Sequence, residues 1–427
     1  MQTYFTNDAV IFGILMGVLA LIFWTSKLEH KFWKTFYKYI PVLLLAYFLP
    51  AILRWPLGLI APEWINAGGV AESSQLYFVA SRYLLPACLI LLCLSIDIKG
   101  IINLGPKAII MFLAASLGII LGGPVALFIV TSIFPDLIPV PREELWRGFS
   151  TVAGSWIGGG ANQTAMKEIF EVGDNLFGMM IIVDILVANI WMGFLLYGIN
   201  ISDRLDKRLR ADNSAIEDLK KSVSSYRASI EKIPTVTSTF VMMGLAFGGT
   251  ALAHWGADEI KPFMESYSEL LDAWKLNSLT SDFFWLIVIA TTIGFALSFT
   301  KAKQLEGVGA SRWGTIFIYI LVATIGMKMN LAEIFDKENA GLLLIGLIWM
   351  MIHVLTLILV AVIIRAPYFF IAVGSQANVG GAASAPVVAA AFDPALAPVG
   401  VLMAVLGYAL GTYGALICAL MMQGVAG

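Results

Sequence analysis

The sequence predicts an all-α integral membrane protein of about ten spanning helices, with two further broken or re-entrant segments in an inverted-topology repeat. Three observations predict it. Hydrophobic residues make up 59% of the 427 residues and charged residues only 13%, whereas a soluble domain carries about 25% charge. The apolar residues fall into long blocks separated by short charged stretches. Two of the blocks are interrupted by matched glycine clusters, Gly158-Gly159-Gly160 and Gly380-Gly381.

Hydropathy places the spans near 8–25, 40–61, 78–96, 108–134, 175–200, 235–254, 283–299, 313–329, 340–364 and 396–423. The first lacks a basic region N-terminal to it and a small-residue cleavage site, so it reads as a retained span and not as a signal peptide. The longest polar stretch, 201–234, carries Arg204, Lys207, Arg208, Arg210, Lys220, Lys221, Arg227 and Lys232. Positive charge favours the cytoplasmic face, and Lys27, Lys31, Lys34 and Lys38 place the first loop there too. Both termini are then extracytoplasmic, in a multi-pass protein of the cell's inner (plasma) membrane. The interrupted segments, 146–171 and 367–392, keep this charge bias if each enters and leaves on one side, the first from outside and the second from inside; one span more or fewer would make both crossing, discontinuous helices. The loops later than 201–234 agree: 255–282 is acidic and outside, while Lys301, Lys303, Arg312 and Arg365 fall inside.

Both interrupted segments place Gly-Ser (Gly154-Ser155, Gly374-Ser375) shortly before Gly-Gly-Ala, continue with small polar residues and reach a phenylalanine, Phe170 or Phe392. The chain divides into a first membrane repeat, 1–200, a charged linker, 201–234, and a second repeat, 235–427. Each repeat holds five spans and one broken segment, and an odd number of crossings inverts the second repeat. Non-helical backbone survives in a bilayer only inside protein or beside a watery cavity. A break also exposes amides and carbonyls that attract ions. Glycine packing alone is the plainer explanation of one such cluster; recurrence in matched positions favours a site.

Around the first break the candidate ion or substrate ligands are Ser155, Gly158, Gly159, Gly160, Asn162, Gln163 and Thr164. Around the second they are Ser375, Gln376, Asn378, Gly380, Gly381 and Ser384. Asp184 sits ten residues into its span, about 15 Å deep, where an ionised carboxylate needs a cavity, a cation or a partner. With Asn162 and Asn378 it is the candidate Na⁺ ligand set, or by itself a proton site; a paired structural aspartate is the alternative. Arg82 is a weaker candidate for a substrate carboxylate, since it can snorkel to the interface. His353, mid-span, is a weaker candidate that packing alone could explain. Lys167 and Glu168 are expected to reach the interface.

Several classes are excluded by what the sequence lacks. Without a Gly-Lys-Ser/Thr phosphate loop, transport driven by ATP is not expected. No nucleophile–base set or ligand-rich cluster points to an enzyme. Cys88, Cys93 and Cys418 lie within apolar segments, as small packing residues do. The net charge of −2 says nothing about partners, and no basic cluster suggests nucleic acid. The expected partners are the lipid bilayer and a small-molecule solute, and a homodimer is compatible. No cofactor is expected beyond Na⁺ or H⁺ as coupling ion.

At the segments Gly-Ser-Trp-Ile-Gly-Gly-Gly-Ala-Asn and Gly-Ser-Gln-Ala-Asn-Val-Gly-Gly-Ala-Ala-Ser-Ala-Pro, the chain resembles a bacterial and plastid membrane family known as a domain of unknown function. The resemblance covers almost the entire chain. In plan the chain is similar to a larger group holding the glutamate–sodium, bile acid–sodium and 2-hydroxycarboxylate symporters and the cation–proton antiporters. That similarity implies that paired broken segments meet at the midplane and form the ion and substrate sites. Asp184 matches the position of an antiporter aspartate, but the second repeat has no acid at that depth, where Gly407, Tyr408 and Thr412 stand. The function expected is a Na⁺- or H⁺-coupled secondary transporter for a small organic anion or amino acid. The alternatives are a cation–proton antiporter using Asp184 and a non-transporting scaffold or receptor with a transporter fold.

Overall fold

A computed structural model describes residues 4–65, 70–138, 140–211, 216, 233–274, 276–329, 340–393 and 396–426. Most of the charged linker, including Lys220, Lys221, Arg227 and Lys232, lies outside the described residues. The main helices are α1 (Asp8–Ser26), α2 (Lys31–Tyr39), α3 (Val42–Arg54), α4 (Leu76–Leu94, with a π-turn at Ala80–Leu84), α5 (Pro106–Ile133), α6 (Arg142–Gly158), α7 (Gly160–Ile169) and α8 (Asp174–Ile199). They continue as α9 (Val236–Glu265), α10 (Asp282–Ser298), α11 (Ala310–Lys328), α12 (Ala340–Ile364), α13 (Tyr368–Val379), α14 (Gly381–Phe392) and α15 (Ala397–Ala426). The protein is an all-α membrane protein. Among the described residues eight helices are long and apolar enough to cross a bilayer, or up to ten if two sharply bent pairs each count as one span.

The spans show why they belong in lipid. On α5, Leu113, Leu117 and Leu121 are exposed at a helical spacing, while Met111, Ala115 and Ile119 are buried. On α12, Met351, Leu355 and Leu359 face outward and Trp349, His353 and Leu357 inward. An apolar outer stripe over a tightly packed inner one is the pattern that lipid solvation requires.

Two expectations need correction. The expected span 40–61 is helical only over Val42–Arg54. It is followed by a small hairpin, β1 (Glu63–Ile65) paired antiparallel with β2 (Ala71–Ser73), which short polar strands give little signal for. The acidic residues Asp258, Glu259 and Glu265 sit on the last turns of α9, not in a loop.

The helices sort into two bundles. α1, α3 and α4 pack with α9, α10 and α11, while α5, α6, α7 and α8 pack with α12, α13, α14 and α15. The pairings inside the first bundle repeat under exchange of the halves: α3 lies on α11 as α10 lies on α4, and α1 lies on α3 as α9 lies on α10. Each half thus contributes three helices to one bundle, then a helix, a broken segment and a helix to the other.

Both broken segments are re-entrant hairpins. Arg147 Nη1 donates to the Phe170 carbonyl at 3.4 Å, and the Trp146 and Phe170 rings lie 5.2 Å apart. In an unbroken helix these residues would be separated by about 34 Å. In the second segment Phe369 and Phe392 lie 5.2 Å apart, and Gln376 Nε2 donates to Ser384 Oγ at 2.7 Å. The two hairpins open on opposite faces. The base of the first, at Gly148, abuts Leu176 at the start of α8. The base of the second meets the far end of that helix, where Tyr368 Oη donates to the Leu195 carbonyl at 3.0 Å. The 26 residues of α8 span about 39 Å, enough to reach from face to face.

Candidate functional site

The tips come together on α15. Gly158 packs directly on Gly407 and Gly411, and Gly400 on Ala385 of the second hairpin. These contacts fall within about 16 Å of helix. At the first tip α6 ends because Gly159 adopts φ +80°, a conformation that glycine enters without penalty. At the second tip Gly381 does the same at φ +58°.

Asp184 is buried on α8 and faces the first hairpin. Its Oδ2 accepts from Ser155 Oγ at 2.6 Å and from Gln163 Nε2 at 3.1 Å, and its Oδ1 accepts from Trp156 Nε1 at 2.7 Å. The expectation that Asp184 faces the break is therefore met. An ionised carboxylate only accepts, so three converging donors form a cradle for the anion. Among the described residues no cationic side chain pairs with it.

The second hairpin holds its matching serine differently. Ser375 Oγ accepts from Trp191 Nε1 at 2.8 Å and lies 2.7 Å from His353 Nε2. The other ring nitrogen, His353 Nδ1, lies 3.0 Å from the Ala115 carbonyl, which can only accept. A neutral imidazole protonated at Nδ1 therefore satisfies every group, with Ser375 donating to Nε2. His353, weak as a candidate in sequence, is thus brought to the second hairpin. A titratable side chain holds the equivalent serine in each half: Asp184 for Ser155, His353 for Ser375.

Asn162 and Asn378 share one bonding pattern. Asn162 Nδ2 donates to the Gly158 and Tyr408 carbonyls, each at 3.1 Å, and Oδ1 accepts from Thr412 Oγ1. Asn378 Nδ2 donates to the Gly374 and Phe112 carbonyls at 3.1 and 3.2 Å, and Oδ1 accepts from Ser116 Oγ at 2.7 Å. Each amide thus clasps a carbonyl four residues back and two groups one turn apart on a neighbouring spanning helix. Asp184, Asn162 and Asn378 do not form one ligand set here, because each is committed to different partners. Thr164 Oγ1 donates to the Gly160 carbonyl at 2.9 Å.

Two polar atoms at the tips stay open: Gln163 Oε1 and Gln376 Oε1 are buried without a hydrogen-bond partner. The Gln376 carboxamide can meet Ser384 with either end, since a hydroxyl both donates and accepts. Gln163 cannot turn over beside an ionised Asp184, so its oxygen is the uncommitted one. Arg82 is not brought to the tips. It sits on α4, its guanidinium 4.2 Å from the centroid of the Phe283 ring.

Lys167 and Glu168 are buried instead of reaching the interface. Lys167 Nζ lies 3.0 Å from Asp174 Oδ1, 3.3 Å from Glu168 Oε1 and 2.9 Å from Tyr77 Oη. Tyr77 Oη donates to Glu168, and Lys328 Nζ lies 3.1 Å from Asp174 Oδ2. Tyr77 and Lys328 belong to α4 and α11, and the others to α7 and α8, so the cluster ties the two bundles together. Sequence spacing could not find it, because its members come from four helices. Lys167→Met is expected to lower stability by about 3–5 kcal/mol, since it leaves buried carboxylates short of their cation. Thermal unfolding of the detergent-purified variant checks this, and a Tm equal to wild type would show that the cluster contributes nothing.

Fold and site together define an inverted-repeat integral membrane protein with opposed re-entrant hairpins meeting in one bundle. The chain matches the family described as Protein of unknown function (DUF819) over residues 13–425 and belongs to that family. It is 24% identical over 356 residues to the uncharacterized membrane protein YjcL of Bacillus subtilis (strain 168), covering 83% of this chain and 85% of that one.

Proposed function

We propose that the protein is a secondary active transporter for a small organic anion or amino acid, coupled to Na⁺ or H⁺, and that it is not an enzyme. The observation that carries this is the pair of hairpins entering from opposite faces with their tips on the same stretch of α15. A solute held between such tips is separated from each aqueous face by one hairpin. Movement of the hairpin bundle against the other exposes it alternately. Discontinuous helices supply free amides for a carboxylate at the starts of α7 and α14, and Gln163 and Gln376 supply polar side chains beside them. The basic residues Arg204, Lys207, Arg208 and Arg210 share a face with the base of the second hairpin. By the positive-inside rule this hairpin opens to the cytoplasm of a plasma-membrane protein, and the first opens outward.

Uptake into proteoliposomes tests the reading. Radiolabelled amino acids and small carboxylates are offered under an imposed Na⁺ or pH gradient. Accumulation that collapses when the gradient is dissipated is expected, and no gradient-dependent accumulation of any such solute would sink the proposal. A cation–proton antiporter is the second reading, favoured by the buried Asp184 carboxylate. Proton flux driven by a cation gradient, without organic solute, would select it.

A further inference from the structure

We infer that a single Na⁺ ion binds between the two bundles beside Asp184, with the Gln163 carboxamide oxygen from the hairpin side and the Tyr47 hydroxyl from the α3 side as ligands. The inference deepens the transport reading and rests on it only for the ion's role in coupling.

Three features of the structure point to this place. The first is charge. Asp184 is fully enclosed, and its three partners are all donors to an anion, so a negative charge is built into the protein interior without a described counter-cation. A buried charge of this kind is costly unless a cation accompanies it. The second is Gln163. Its Nε2 is drawn to Asp184, which turns Oε1 away into a buried position without a donor. An orphaned buried acceptor is rare in native proteins and calls for a partner. The third is Tyr47 on α3, a fully buried side chain whose hydroxyl makes no hydrogen bond of full geometry among the described residues and lies near Thr164, within electrostatic reach of Asp184. Its ring is fixed edge-on against Phe177, with centroids 5.9 Å apart. One turn earlier on α3, Leu43 is the neighbour of Gly160 at the hairpin tip. α3 therefore runs beside the start of α7 and presents Tyr47 at the level of Thr164.

The chemistry of these groups selects the ligand. What the site has to offer is oxygen: a carboxamide oxygen, a phenolic oxygen and the lone pairs of Thr164 Oγ1, whose proton is given to Gly160. Hard cations take such donors. One formal charge balances one monovalent ion. Among the described residues no group of three His, Cys, Asp or Glu side chains is placed to hold a metal ion; a single carboxylate beside neutral oxygens suits a monovalent hard cation. An ammonium group could use the same oxygens only if space for its substituent existed inside this packed region. Because the ligands come from both bundles, occupancy favours the arrangement in which α3 and the first hairpin are closed on each other.

The test uses full-length protein purified in detergent, with Tm followed as NaCl replaces choline chloride at constant ionic strength. A saturable rise in Tm with Na⁺ is expected, smaller or absent with K⁺, since a ligand that binds only the folded state stabilises it by mass action. Tyr47→Phe keeps the ring and removes one oxygen, and Gln163→Leu keeps the volume and removes the other; each is expected to move the Na⁺ midpoint at least about tenfold higher. A wild-type Tm indifferent to Na⁺ overturns the inference. So does a Na⁺ response that Tyr47→Phe leaves unchanged, and this variant decides the matter if Gln163→Leu fails to fold. If the Na⁺ response holds while no solute is transported, the site stands and the transport reading falls. If uptake is Na⁺-driven but both variants respond like wild type, the site falls and the transport reading stands.

Discussion

Asp184→Leu is expected to be the most damaging single substitution in the hairpin bundle. It strands Ser155 Oγ, Trp156 Nε1 and Gln163 Nε2, three donors that now share one carboxylate. Each buried donor left without an acceptor costs about 1–3 kcal/mol, so the loss approaches the whole stability of a domain, which is about 5–15 kcal/mol. The gentler Asp184→Asn keeps the shape but brings an N–H against one of the same donors and removes the charge. This variant is expected to fold with a lowered Tm and to lose gradient-driven uptake by at least about tenfold, the equivalent of about 1.4 kcal/mol. Thermal unfolding and proteoliposome uptake, measured side by side, separate the two effects. Full uptake with an unchanged ion dependence in Asp184→Asn would take this residue out of the mechanism.

The second large effect is expected from one glycine of three that look alike in sequence. A Cβ on Gly158 would lie 2.7 Å from both the Gly407 carbonyl oxygen and the Gly411 Cα, and closer still to Asn162 Nδ2. Two of these obstacles are backbone, so the first tip must lift off α15, and Gly158→Ala is expected to cost about 1–3 kcal/mol or more as an overpacked contact. Gly159 has open space around its missing side chain but a φ of +80°. Alanine there is strained by about 1–2 kcal/mol without any clash. Gly160 has a permissive backbone and only Leu43 within reach, at 3.9 Å. Alanine at this helical position is expected to be neutral or to stabilise by up to about 1 kcal/mol. Tm should therefore rise in the order Gly158→Ala, Gly159→Ala, Gly160→Ala. Equal losses at Gly158 and Gly160 would contradict the packing described for the tip.

These glycines also show how far the sequence could be read. Composition and block length were enough for an all-helical membrane protein, because a bilayer imposes a length and an apolar content on anything that crosses it. The broken segments were legible because glycine recurs at matched places, and the charge bias required both to fold back. The roles of the individual residues were not legible. Asn162 and Asn378 look like ligands in sequence, yet their amides clasp neighbouring helices. His353 looks like packing, yet it holds Ser375. Lys167 and Glu168 look like interfacial charges, yet they join two bundles through Tyr77, Asp174 and Lys328.

The sequence by itself determined the solvent of this protein, the inverted plan and the two breaks, all properties written in local pattern and in the sum of charges. Only the tertiary structure decided which polar groups at the breaks are spent and which stay open. Hydrogen-bond satisfaction inside a membrane depends on partners hundreds of residues away, such as Thr412 for Asn162 and Ser116 for Asn378. Such pairings have no periodicity in the chain and exist only once the helices have packed.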